Sequence, residues 1–326
     1  MTSLAIALVA APIASSNSLR SAVDQGAVPQ AKAFKICASA GPYWPTQTLA
    51  IKGSTAWIAC KENMRVVKFD LVRGRTIRTI RLTSPVIAVA TGFGSVWALD
   101  TASTLIRINP RSGRIGKRIS LGARAPYNLW VGAGSVWSVD DAAGAVLRIS
   151  PARNRVLTRI TVGDGPADMV FSGTTAWIVN HRDLGLIQLD TRTNRPARLA
   201  TLKADAPERM ALLAGSLWIT GRGTDLLQVD PDSGTTTRTI EIGASGIDVV
   251  SVAGALWIPA RSAAVDPTGF PTMEALRRVT PSGEVTTVAA ARGRVDVHGL
   301  AGGPAGTSVW FADNTAGRLY RLPAAG

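Results

Sequence analysis

A tryptophan preceded by a small-residue turn returns seven times along the chain, at Trp57, Trp97, Trp137, Trp177, Trp218, Trp257 and Trp310, at intervals of 40, 40, 40, 41, 39 and 53 residues. Self-similarity at a fixed period constrains a fold more than any local propensity, because each unit must bury its apolar face against the next. A period of about 40 to 50 residues is too long for leucine-rich repeats and matches the four-stranded blade of a propeller. The 326 residues would otherwise suggest two domains. The repeat instead predicts one all-β domain, a seven-bladed β-propeller over residues 33–326.

Inside one unit the alternation of apolar residues predicts four short strands. In the second repeat these are Val86 to Thr91, Ser95 to Leu99, Leu105 to Asn109 and Lys117 to Leu121. Pro-x-x-Gly turns such as Pro110 to Gly113 and Pro231 to Gly234 join the third and fourth strands, with Pro presetting φ and Gly supplying the left-handed position. The seventh unit ends after its third strand, whereas residues 33–37 near the N-terminus resemble an outer strand without a blade. Pairing the two would satisfy an open edge and close the ring.

The apolar run Leu4 to Ala14, followed by Ser15, Ser16, Asn17 and Ser18, is too short to span a bilayer and suits the hydrophobic region of an export signal. Residues 1–18 are therefore expected to be signal-like and 19–32 a linker, with the mature monomer extracytoplasmic and carrying no transmembrane segment. Cys37 and Cys60 have no metal-binding spacing; they are expected near one face, either as a disulfide or as two buried free thiols.

In a propeller the inter-blade loops and the loops between second and third strands share one face around the central channel, where ligand sites are built. Alignment on the recurring Gly-Pro motif places Trp44, Ile87, Asn128, Asp168, Arg209, Asp248 and His298 at equivalent positions there. His181, Arg182 and Asp183 belong to a second ring of loops on that face. In blade six Pro281 follows Trp257 by 24 positions, against 13 between Trp97 and Pro110 in blade two; the added residues read as a lid, a partner-binding flap or a surface insertion.

Lys and Arg exceed Asp and Glu by 14, which favours an anionic partner. The turns between third and fourth strands are basic in blades one to four, at Arg73, Arg75, Arg111, Arg114, Arg153, Arg155, Arg192 and Arg195, and acidic in blades five and six, at Asp232 and Glu284. Such a sector could hold an anionic polymer, nucleic acid or lipid headgroups.

The segment His298-Gly299-Leu300-Ala301, followed by Ser308-Val309-Trp310-Phe311-Ala312-Asp313, resembles the repeats of the streptogramin lyase (virginiamycin B lyase) family and the wider YncE-like propellers. That resemblance covers all seven blades. It implies a Mg²⁺ site and a carbon–oxygen lyase opening a cyclic ester by elimination, with Asp296, His298 and Asp313 as metal ligands and His298 with Asp313 as the catalytic pair. Both carboxylates are Asp where the family has Glu, and one more residue separates His298 from Asp313. The function expected first is accordingly a module that binds a small ligand or a protein through the funnel face, with the lyase and the anion-binding scaffold as alternatives.

Overall fold

The computed structural model describes residues 31–37, 48–61, 63–246, 248–265, 271–290, 297–313 and 317–324. They form seven antiparallel sheets, each a meander running outward from an innermost strand. Blade two comprises Val86–Gly92, Ser95–Asp100, Thr104–Ile108 and Ile115–Ser120, within two residues of the expected bounds. Between first and second strands the turn glycines Gly53, Gly94, Gly134, Gly173, Gly215, Gly254 and Gly306 all have φ between 56° and 78°, the left-handed conformation that side chains with a Cβ disfavour.

Each repeat tryptophan packs against the next blade. Trp97 joins Leu129, Val136 and Leu147 of blade three, Trp177 joins Met210, Leu217 and Ile219 of blade five, and Trp310 joins Leu49, Ile58 and Phe69 of blade one. Seven apolar clusters thus correspond to seven inter-blade interfaces. The residue paired with the tryptophan on the third strand extends this packing. Lys68, Arg107 and Arg148 lie over the rings of Trp57, Trp97 and Trp137 at 5.5, 5.3 and 5.3 Å. Lys68 and Arg107 also donate to the turn carbonyls of Pro110 and Pro151 in the following blade, at 2.7 and 3.0 Å.

The ring closes as expected. Blade seven supplies Val297–Gly302, Ser308–Asp313 and Arg318–Pro323, and its outermost strand is Lys32–Lys35, with Phe34 opposite Leu319. The ladder begins at Lys32, one residue before the expected segment, and ends at Lys35 because the N–H groups of Ile36 and Cys37 converge on the single carbonyl of Gly317, at 2.9 and 3.0 Å. Phe34 stacks on Trp310 at 5.8 Å and meets Phe69 of blade one edge-on at 5.2 Å, so it bonds one blade and packs on its neighbour. Cys37 and Cys60 form a disulfide with Cα atoms 5.6 Å apart, tying the closing segment to blade one. The signal-like segment 1–18 and all but the last two residues of the linker 19–32 lie outside the described residues. No helix among the described residues is long and apolar enough to cross a membrane.

In blade six the innermost strand is broken into Ser245–Gly246 and Val250–Val252, both paired to the second strand. The added residues lengthen the hairpin between the second and third strands, Ala255–Val265 and Pro271–Val279, with Val265 opposite Pro271. Its tip, 266–270, lies outside the described residues.

Candidate functional site at the propeller axis

Every innermost strand of blades two to five and of blade seven carries a register shift near its start, between Val86 and Ala88, Tyr127 and Trp130, Pro166 and Asp168, Pro207 and Arg209, and Val297 and Leu300. Bulges of this kind re-aim side chains, here at the inner edge of the ring. Registers against the second strands place Asp168 opposite Val179, Arg209 opposite Thr220 and Ala88 opposite Leu99. In blade one Thr48 accepts a bond from Ala59 at 2.9 Å. The structurally equivalent set is therefore Thr48, Ala88, Asn128, Asp168, Arg209, Asp248 and Gly299.

This corrects three positions of the sequence alignment. Pro166, Pro126 and Pro207 open their strands, whereas Pro85 precedes Val86, where the blade-two strand begins; Ile87 accordingly packs in the apolar cluster between blades two and three. His298 lies one residue too early in the strand starting at Val297, and Gly299 takes the equivalent place. A Cβ at Gly299 would stand 2.8 Å from the backbone nitrogen of Leu49, so the close approach of blades seven and one requires glycine there. Trp44 lies outside the described residues, and Thr48 occupies its blade's position.

The charged part of the axis spans blades four to six, with Tyr127, Asn128 and Trp130 of blade three beside it. Asp168 is buried and bonds both neighbours: Oδ1 accepts from Trp130 Nε1 at 2.9 Å in blade three, and Oδ2 accepts from the Met210 N–H at 2.8 Å in blade five. Its own blade adds the Met169 N–H at 2.8 Å. Burial raises its carboxyl to about 6 in spite of the Arg209 charge and these N–H donors. Tyr127 donates its hydroxyl to Pro166 O at 2.6 Å, and burial holds the phenol above its ordinary value.

Arg209 is equally buried. Burial works against its charge, yet Asp168, Asp248 and Glu208 together hold the guanidinium above its ordinary value. Among the described residues one bond engages it, from Nη1 to Glu208 O at 2.7 Å, although a guanidinium carries five donors. Glu208 is in turn fixed by Arg222 at 2.8 Å.

His181 is half-buried in a separate cluster on the same face, where Arg182 bridges blades three and four through Asp141 Oδ2 at 3.0 Å and Asp164 Oδ1 at 2.7 Å. The Asp141 and Asp164 carboxylates raise the Arg182 guanidinium above its ordinary value. Of the residues expected to bind Mg²⁺, Asp296 lies outside the described residues, His298 is placed by its backbone in the strand, and Asp313 is buried at the end of the second strand opposite Val297. No group of three His, Cys, Asp or Glu side chains among the described residues could hold a metal ion. The eight turn arginines are all exposed on the opposite face.

Trp130, Tyr127, Glu208 and Thr48 were not singled out for this axial cluster from sequence. Counting nine positions back from each tryptophan would have found Thr48, Ala88, Asn128, Asp168, Arg209 and Asp248; it fails in blade seven because the turn Gly303 to Thr307 is longer.

The chain is thus a seven-bladed propeller with an asymmetric, charged axis. No family model matches the sequence, and no curated protein matches it. Among solved structures it is similar to the virginiamycin B lyase from Staphylococcus aureus, with TM-score 0.72 and 17% identity over 90% of this chain and 99% of that one. A streptogramin B lyase gives TM-score 0.71 and 15% identity over 90% and 97%. A chain of a mitotic checkpoint complex gives 0.75 and 14% over 99% and 98%. What is shared at these identities is the fold, and function follows from the site rather than the fold.

Proposed function

We propose that this protein is a binding module that receives a small ligand or a loop of a partner protein at the axial funnel, through an acceptor group seated on Arg209. The observation that carries this reading is a buried guanidinium that, among the described residues, uses one of its donors while three carboxylates hold it charged. A preorganised Arg presents a planar fork to a carboxylate or carbonyl and loses little freedom on binding. Keeping an aspartate beside it whose ionised form is disfavoured is the pattern expected of a site rather than of packing. The disulfide supports an extracytoplasmic location, periplasmic, cell-surface or secreted, since such bonds persist in oxidising compartments.

Thermal-shift measurements with a panel of small carboxylates, sugars and short peptides test the reading. A ligand at one hundred times its Kd adds about 2.7 kcal/mol, and that gain is expected to vanish in Arg209→Gln. A panel without any shift, or shifts retained in Arg209→Gln, would overturn it.

The Mg²⁺-assisted lyase is a second reading, supported by the shared fold and by the pairing of Val297 with Asp313, which sets His298 beside that carboxylate's strand. The described side chains do not by themselves make up the ligand set. Perturbation of the His298 NMR signals by Mg²⁺ is the result this reading requires.

A further inference from the structure

The outer edges of blades one to four carry an unbroken run of positive charge. Residues 71–82, 110–121, 151–162 and 191–202, each a turn followed by an outermost strand, hold four, four, three and three cations, thirteen Arg and one Lys, and no Asp or Glu. All fourteen are exposed. Among the described residues three of them make ion pairs, Arg73 with Asp70, Arg159 with Asp140 and Arg198 with Asp183. The equivalent edges of blades five and six carry Asp232, Glu241 and Glu284 against Arg238, so the charge is a sector and not a general property of the rim. These edges are continuous: Arg78 of blade one lies against the blade-two turn at Gly113, and the outermost strand Arg155–Thr161 touches those on either side, Ile115–Ser120 and Arg195–Thr201.

We propose that this sector binds a flexible phosphodiester or polyphosphate chain, laid along the outer rim from blade one to blade four. Three features select that class. Neighbouring blades of a seven-bladed ring are turned by roughly 50°, so outer edges in four successive blades lie on a curve that a flexible chain can follow and a plane cannot. Thirteen of the fourteen cations are Arg, whose fork pairs with phosphate oxygens bidentately. The four segments contain no Phe, Tyr or Trp, which leaves no platform for stacking bases and limits recognition to the backbone charge. This surface is remote from Arg209 in the chain's architecture, on the outermost rather than the innermost strands, so the two readings fail separately.

The test is fluorescence anisotropy of labelled dT30 with the full chain across a salt series, with inorganic polyphosphate as competitor. Contact with roughly six phosphates at once gives a slope of log K against log salt of about −4, a loss of about 250-fold between 50 and 200 mM. In the variant carrying Arg75→Gln, Arg111→Gln, Arg153→Gln and Arg195→Gln the slope should shrink by about 3, while the corresponding four Arg→Lys changes keep it. Polyphosphate should displace dT30. Two double variants, Arg75→Gln with Arg111→Gln and Arg153→Gln with Arg195→Gln, should each shrink the slope by about 1.4 and guard against misfolding of the quadruple. Affinity of the quadruple Gln variant within twofold of the parent would overturn the proposal. So would failure of polyphosphate to compete, which would mark base recognition, or Arg-dependent binding to phosphatidylglycerol vesicles without binding to dT30, which would mark a membrane surface.

Discussion

Arg107 of blade two donates through Nη1 to Oδ1 of Asn154 in blade three at 3.0 Å. Asn154 is at φ 50°, a left-handed turn position that Asn tolerates, and the same pair recurs one blade on as Arg148 with Asn194 at 2.7 Å. A cation on the third strand thus covers its own tryptophan and grips the next turn. Charge-assisted bonds of this kind contribute about 1.5 to 3 kcal/mol. Arg107→Ala should lower unfolding free energy by about 2 kcal/mol in urea titration, and the double change with Asn154→Ala should cost less than the sum of the two singles.

The closing strand gives a second test. Phe34 is half-buried between Trp310 and Phe69, so Phe34→Ala should cost about 2 kcal/mol, below the range for a fully enclosed ring. Reducing the Cys37–Cys60 bond, which encloses a separation of 23 residues, removes a constraint on the unfolded chain of about 3 kcal/mol. Calorimetry with and without reductant should show the melting temperature fall.

Asp168 gives a pH test of definite sign. Its carboxyl is raised to about 6 from 3.8, so between those values the folded state binds more protons than the unfolded one. Its contribution to stability therefore falls as pH rises from about 4 to 6 and is flat above, a total of about 3 kcal/mol. Asp70, Asp190 and Asp230 have the opposite shift, lowered from 3.8 by turn N–H donors, so their contribution changes at lower pH than that of Asp168. The difference in unfolding free energy between parent and Asp168→Asn, followed from pH 4 to 7, should isolate the Asp168 term; a flat difference would contradict it.

Gly299→Ala should destabilise the fold by about 2 kcal/mol through overpacking against the Leu49 backbone. The same change at Gly116, whose Cβ would meet its nearest atom at 3.4 Å, should be near neutral. Chemical denaturation of the two variants side by side checks this.

The number of blades and their closure were legible in the sequence because both rest on periodicity: Trp57 to Trp310 mark interfaces, and the unpaired strand near Phe34 answers an open edge. The axis was legible only in part. Asn128, Asp168, Arg209 and Asp248 fall where a fixed spacing puts them, but Ile87 is displaced because Pro85 precedes its strand where Pro126, Pro166 and Pro207 open theirs, and His298 because blade seven has no such proline to align on. Trp130 could not be assigned, since its bond to Asp168 joins separate blades and leaves no local pattern.

Pairing Lys32–Lys35 with Arg318–Pro323 also orders events during translation. Lys32–Lys35 emerges before the other six sheets and finds its partner only after all of them have been synthesised, so the ring stays unlatched until Arg318–Pro323 has followed. Any intermediate before that moment exposes an edge at both extremities, and molecular chaperones or premature pairing between nascent chains would compete for it.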